Sequence, residues 1–420
     1  MLRIVINLQH CCIFYFNLLN VMLKKLLYAL VFIAFLTACS KNNDIGPDDN
    51  KEYKFIRVLV SDENTKQISL VNPRSGTTQN FEANFAKSTI YTTQSGRWAV
   101  LVHRADNMVE TFDVGFENHG DHADVKGTPK FGAIVGDGKM PTHFKTYGSE
   151  IAIFNDGDGT LDIANENNFH VVGSRMKRIN AGNVAHHGAM AKFDNGNYAI
   201  TEKDGSIAGT LPERVKIIDI SGKTIFASTV QTKGIHGNAT DGKTAAFGSA
   251  SGILVVSPNG NQKLISHPAD FGTAWFGTIL EAKGTGKFVG YTSAKGAYLI
   301  DITTEKITPI IENTDIMQCK TDFSGENLIV LLHSGEVSIY NLQTGALKVK
   351  ANVISKVERT ETQKPQLVAT KKYIYITQPK SGEIVQVEVA NPSNITKIKV
   401  SGTPYRLTVL GMETSKGHDD

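Results

Sequence analysis

From residue 55 onward, apolar and polar positions alternate in short runs, and Gly, Asn or Asp breaks each run within a few residues. A period of two marks strands with a buried side, and the breakers mark hairpin turns. The run 55–60 turns at Asp62, Glu63 and Asn64 and returns over 67–71. The run 98–102 turns at Ala105, Asp106 and Asn107 and returns over 109–114; the run 151–154 turns over 155–159 and returns over 161–163. The same hairpin recurs at 198–220, 244–256, 288–302, 328–342 and 373–389, which makes eight copies. Almost nothing in this body has the 3.6-residue period of a helix.

The copies are evenly spaced. His143 to His187 is 44 residues, His187 to His236 is 49, and Cys319 to Leu367 is 48. Repeats of about 40–50 residues that contain four strands are propeller blades. The prediction is an all-β fold, a β-propeller of four-stranded blades over 55–410, with eight blades and seven as the alternative. Serial β-sandwiches are the competing architecture, but they do not explain the even spacing. The first hairpin lacks an innermost strand, and a lone apolar strand, 404–409, stands at the far end. Pairing the two closes the ring and removes exposed edges.

The N-terminal 1–39 read as a leader with a lipoprotein signal peptide. Leu23, Lys24 and Lys25 open it after Met22, the expected true start, and an apolar run covers 26–35. That run is short for a membrane span. Leu36, Thr37, Ala38 and Cys39 then match a bacterial lipobox, which implies cleavage before Cys39 and lipidation of its thiol. Residues 1–21, with Cys11 and Cys12, read as an upstream extension. After processing only Cys39 and Cys319 remain, so no intrachain disulfide is expected, and Cys319 reads as a buried inert thiol. Residues 40–54 read as a flexible tether and 411–420 as a disordered tail. Lys+Arg 44 against Asp+Glu 41 gives +3, and no long basic run with interleaved aromatics is present, so nucleic acid is not an expected partner.

Eight of the twelve histidines fall between His103 and His236. Neutral imidazole and carboxylate are ligands for a borderline divalent metal such as Zn2+. His143, His187 and His236 each stand at the start of an innermost strand in successive blades, so they approach the channel mouth at one height. His103 ends a neighbouring strand and is a candidate fourth ligand on the same rim. Asp156 and Glu202 are alternative ligands or acceptors that orient an imidazole. His186 adjoins His187, and the sequence does not say which of them points inward. His119, His122 and Asp124 lie in an inserted, glycine-bearing loop, as a second, looser metal site or a solvated polar loop. His170, His267 and His333 lack partners at matching positions and read as structural.

At these residues the chain resembles the bacterial periplasmic zinc metallochaperones of the AztD family. The likeness is carried by His119, Gly120, Asp121 and His122; by Pro141 to Phe144 with 153–157; by His186, His187 and Gly188; and by His236 and Gly237 with Ala246, Phe247 and Gly248. It covers about 55–409. The resemblance implies a propeller that binds zinc through histidines and passes it to the solute-binding protein of a zinc ABC importer. The lipobox departs from the soluble pattern of that family, so storage, sensing or a different envelope acceptor would also fit. The expectation is a monomeric, non-enzymatic zinc carrier, anchored by lipid to the bacterial cell envelope on its periplasmic side or at the cell surface, with affinity falling below about pH 6.5 as protons compete for imidazole. The alternatives are a zinc-dependent or lactonase-like hydrolase and a metal-free binding scaffold. No Gly-x-Ser-x-Gly elbow or phosphate loop favours an enzyme.

Overall fold

The computed structural model describes residues 50–418. The leader, Cys39 and residues 40–49 lie outside the described residues. Eight four-stranded antiparallel sheets follow one another along the chain. Blade 2 is built from Thr89–Thr92, Trp98–His103, Met108–Asp113 and Lys130–Gly136, and blade 3 from Pro141–Tyr147, Glu150–Asn155, Thr160–Asn165 and Lys177–Ile179. Blade 4 begins at Met190–Lys192, blade 5 at Ile235–Thr240, blade 6 at Thr278–Ala282, blade 7 at Ile316–Thr321 and blade 8 at Leu367–Ala369. Blade 1 takes its three outer strands, Ile56–Asp62, Gln67–Asn72 and Thr77–Glu82, from the start of the described chain and its innermost strand, Pro404–Gly411, from the end. The expected eight blades and terminal closure are both present.

The second strands of the blades are buried on both sides, as in Trp98–His103, where every residue is buried. Alternate residues serve different neighbours. In Ile56–Asp62, Ile56, Val58 and Val60 join Tyr375 and Ile384 of blade 8, while Leu59 joins Ala99 and Leu101 of blade 2. Eight apolar clusters result, each lying between two adjacent blades, and the eighth, between blades 8 and 1, closes the circle. Cys319 sits in the seam between blades 6 and 7, where burial pushes its thiol up to about 12, as expected of an inert cysteine.

Two boundaries differ from the sequence reading. Glu52, read as tether, is fully buried and accepts the Thr370 and Tyr375 hydroxyls, each at 2.6 Å. Of the segment read as a disordered tail, Gly411 ends the closing strand and Gly417–His418 pairs in parallel with Ala123–Val125 in a small three-stranded sheet. The buried carboxylate decides the first case and main-chain pairing to an available edge decides the second, and the apolar–polar pattern reveals neither.

Deleting residues 403–420 should open the ring. Leu407, Val409 and Leu410 are buried in the closing strand, and burial of such side chains contributes about 1.5–3 kcal/mol each. The urea midpoint should therefore fall by the equivalent of about 5 kcal/mol or more. An unchanged midpoint would mean that the ring is closed in some other way.

Candidate metal centre

Antiparallel blades put the starts of all innermost strands at one mouth of the channel. Four of these strands carry a register shift near that point, and two of the four bear rim histidines. Pairing slips between Pro141 and His143 and between Ile235 and Asn238. A bulge re-aims the side chains beside it, and here it falls on His143 and His236. His187 lies just ahead of Met190–Lys192, its amide held by the Thr210 carbonyl at 2.9 Å. The three rings gather. Their centres are 4.6 Å apart for His143 and His187, 5.1 Å for His187 and His236, and 6.0 Å for His143 and His236.

The partners behind the rings settle their tautomers. His187 Nδ1 is 2.7 Å from Asp156 Oδ2, and His236 Nδ1 is 2.6 Å from the Gly277 carbonyl. The carbonyl accepts only. The Asp156 carboxyl also only accepts, because His187, Thr142 and Arg104 together outweigh burial and hold it below the usual carboxylate range. Both Nδ1 atoms therefore donate, and each Nε2 keeps its lone pair in the neutral ring. A carboxylate or carbonyl behind an imidazole is the usual support for a metal-binding histidine.

His143 Nε2 stands 3.2 Å from His187 Nε2. Either a hydrogen bond, with a neutral His143 donating its Nε2–H to the His187 lone pair, or a cation between two lone pairs accounts for that distance. Tetrahedral zinc with Zn–N near 2.0–2.1 Å sets neighbouring nitrogens roughly 3.3 Å apart, so the observed spacing fits one edge of such a site. Burial first, then the adjacent His187, brings the His143 imidazole down to about 3, so this ring stays neutral and competes little for protons near pH 6.5. Among the described residues no group of three His, Cys, Asp or Glu side chains is already converged to hold an ion. The rim is thus a gathered triad in which one pair of ring nitrogens, on His143 and His187, stands at that spacing.

His186 points the other way. It is 3% exposed, with Nδ1 2.8 Å from the Val184 carbonyl and Nε2 3.0 Å from Thr201 Oγ1, and it packs edge-on against Phe154. His103 is also held away from the triad. Its Nε2 is 2.7 Å from Glu110 and its Nδ1 3.4 Å from Ser88, at 1% exposure. It ends a second strand, one place removed from the axis, and Glu110 on the returning strand captures it. Glu202 is paired with Lys216 at 3.0 Å. The glycines beside the rim histidines serve close approach more than backbone freedom. A Cβ on Gly188 would lie 2.2 Å from the Phe154 ring, and one on Gly237 would lie 2.7 Å from the Gly277 oxygen.

The inserted hairpin, Phe116–Asn118 and Ala123–Val125, stands at the opposite mouth. Asn118 and Gly120 line a cavity of about 880 Å³ with Tyr147, at the far end of the strand that carries His143. In this hairpin His119 and His122 stack with ring centres 5.4 Å apart. His119 Nε2 is 3.4 Å from Asp124 and 3.5 Å from Glu117, and His122 Nε2 is 3.9 Å from Asp124. Asp124 Oδ1 is buried without a hydrogen-bond partner. Between the two mouths, Lys145 donates to the Asn238 carbonyl at 2.6 Å beside a channel cavity of about 330 Å³. Neither of these two cavities is lined by the three rim imidazoles.

Sequence reasoning did not find Gly277, whose contribution is a backbone oxygen, or Arg104, which binds Asp156 at 3.2 Å. A carbonyl leaves no residue-type signal. The Arg104 contact crosses between blades and becomes visible only in the fold.

Fold and site together define an eight-bladed β-propeller with an imidazole-lined mouth. The particular protein it resembles is the zinc chaperone AztD of Citrobacter koseri, 24% identical over 374 residues that span 84% of this chain and 86% of that protein. Crystal structures of that protein match with TM-scores of 0.77 and 0.76, at 20% and 19% identity, over 85% of this chain and 98% of theirs. The dihydro-heme d1 dehydrogenase NirN matches at 0.58 and 12% identity, over 84% of this chain and 74% of that one, and shares the propeller alone. No family model matches the chain.

The adjacent histidines should separate cleanly. His186→Ala strands Thr201 and the Val184 carbonyl and should lower stability by about 1–3 kcal/mol while leaving zinc affinity intact. His187→Ala should do the reverse. Paired urea melts and zinc titrations would show it, and equal loss of affinity in both variants would contradict this orientation.

Proposed function

We propose that this chain is a zinc carrier of the bacterial envelope, lipidated on Cys39 and tethered through residues 40–51, that hands its ion to the solute-binding protein of a zinc ABC importer or to another envelope acceptor. The observation that carries the zinc reading is the 3.2 Å approach of His143 Nε2 and His187 Nε2, with Asp156 and the Gly277 carbonyl fixing the tautomers of His187 and His236. Likeness to a zinc chaperone supports it. The lipobox supports the anchor, and the described residues include no helix long and apolar enough to cross a membrane.

Zinc is cargo here, so binding must be tight yet reversible. His143, His187 and His236 supply the rim ligands, with the fourth position left to a carboxylate, water or an incoming ligand of the acceptor. His187 is 26% exposed, so an acceptor's imidazole can reach the ion and replace the rim ligands one at a time. No covalent step is involved, and the protein acts as a carrier and not as an enzyme. His119, His122, Asp124 and Glu117 form a second, shallower set at the other mouth. Its exposure suits first capture or storage.

Chelator competition tests the assignment. His143→Ala and His236→Ala should each weaken the tight constant about 100-fold, ~3 kcal/mol. Asp156→Asn should cost about 10–100-fold, the usual loss when support behind a ligand is removed. The His119→Ala/His122→Ala double variant should lower stoichiometry and leave the tight constant alone. If the double variant loses tight binding while both rim variants keep it, the loop is the primary site. For the anchor, Cys39→Ser should move the protein from the membrane fraction to the soluble fraction, and continued sedimentation with membranes would indicate an uncleaved helix.

A further inference from the structure

One oxygen behind the rim serves two donors of different kinds. Asp156 Oδ2 is 2.7 Å from His187 Nδ1 and 3.2 Å from Arg104 Nη2. Arg104 follows His103 in the short turn after the second strand of blade 2, so it reaches Asp156 across the seam to blade 3. Its Nε also donates to Thr142 Oγ1 at 3.0 Å. Among the described residues Asp156 is the one carboxylate paired with this guanidinium, which is 48% exposed while Asp156 is 5% exposed. Asp156 has other anchors. Its amide donates to the Met140 carbonyl at 3.1 Å, and its Oδ1 accepts from the Gly188 amide at 3.4 Å. Arg104 is therefore not needed to keep the carboxylate behind the ring, and its main contribution there is its charge.

A carboxylate behind an imidazole makes it a stronger ligand, because its negative charge stabilises the positive charge that the ring takes on when Nε2 donates to a cation. A guanidinium on the same oxygen offsets part of that negative charge and adds its own repulsion toward a dication. We propose that Arg104 acts through Asp156 to hold down the affinity of the rim for zinc, so that the cargo stays transferable. This rests on the reading of the rim as a zinc site and extends it to how the hold is set. Two roles for Arg104 predict opposite signs. If it served only to place Asp156, its loss would weaken zinc binding. Acting by charge, its loss strengthens binding, and salt diminishes the effect because the guanidinium is half exposed.

The test uses the full chain and Zn2+ alone, with Arg104→Gln, Arg104→Lys, His187→Ala, Asp156→Asn and the Arg104→Gln/Asp156→Asn double variant beside the parent. Chelator competition at low and high salt gives the affinity, and mixing with excess chelator gives the release rate. Arg104→Gln should bind zinc about threefold more tightly or better at low salt, with slower release, and the gain should shrink as salt rises. Arg104→Lys keeps the charge and should gain less than Arg104→Gln. On the Asp156→Asn background Arg104→Gln should gain less than it does alone, since the group it acts through is gone. If His187→Ala loses tight binding while Arg104→Gln binds as the parent does or more weakly, the rim reading stands and the role given to Arg104 is wrong. If His187→Ala binds as tightly as the parent, the rim reading fails and this role fails with it.

Discussion

Everything in this molecule depends on the apolar seam between neighbouring blades. No single sheet has a core of its own. Each buries one face against the blade before it and the other against the blade after it, so the alternating side chains of one strand belong to two cores at once. A linear array built this way would expose an apolar face at each end. Closing the circle removes both faces, and it does so through main-chain pairing of Pro404–Gly411 with Ile56–Asp62. The last seam, with Tyr375 and Ile384 on one side and Val58 and Val409 on the other, exists only because the chain returns to its start.

The same geometry gathers three imidazoles from residues far apart in sequence. Innermost strands start at one mouth, so one position per blade delivers its side chain there. Bulges at His143 and His236 turn these positions toward the axis, and a carboxylate from blade 3 and a carbonyl preceding the first strand of blade 6 set the protons. His186 shows how narrow the condition is. One residue from His187, it spends both ring nitrogens on neighbouring groups and contributes to packing.

Much of this was legible in the sequence. Period-two runs and spacings near 44–49 residues disclose the blades, and the orphan strand after Gly402 discloses the closure, because both are properties of side-chain pattern. The matched blade positions of His143, His187 and His236 disclose the triad. What stayed hidden is what backbone and neighbours decide. The choice between His186 and His187 rests on Val184 and Thr201, and the His236 tautomer on a glycine carbonyl. His103 misled because its place at a strand end is visible, whereas its capture by Glu110 depends on strand order. The pairing of Gly417 and His418 was hidden too, since a glycine and a histidine beside two aspartates carry no strand signature.

Glu52 fixes the place where the chain enters the ring. Its carboxylate is held by Thr370 and Tyr375 at the turn joining the first two strands of blade 8. Its carbonyl accepts from Arg74, at the turn between the second and third described strands of blade 1. Both turns belong to the face that carries the inserted hairpin. Glu52 is therefore a pin across the last seam: it fastens a turn of blade 8 to a turn of blade 1 on the face opposite the imidazole rim, outside the main-chain ladder that closes the circle.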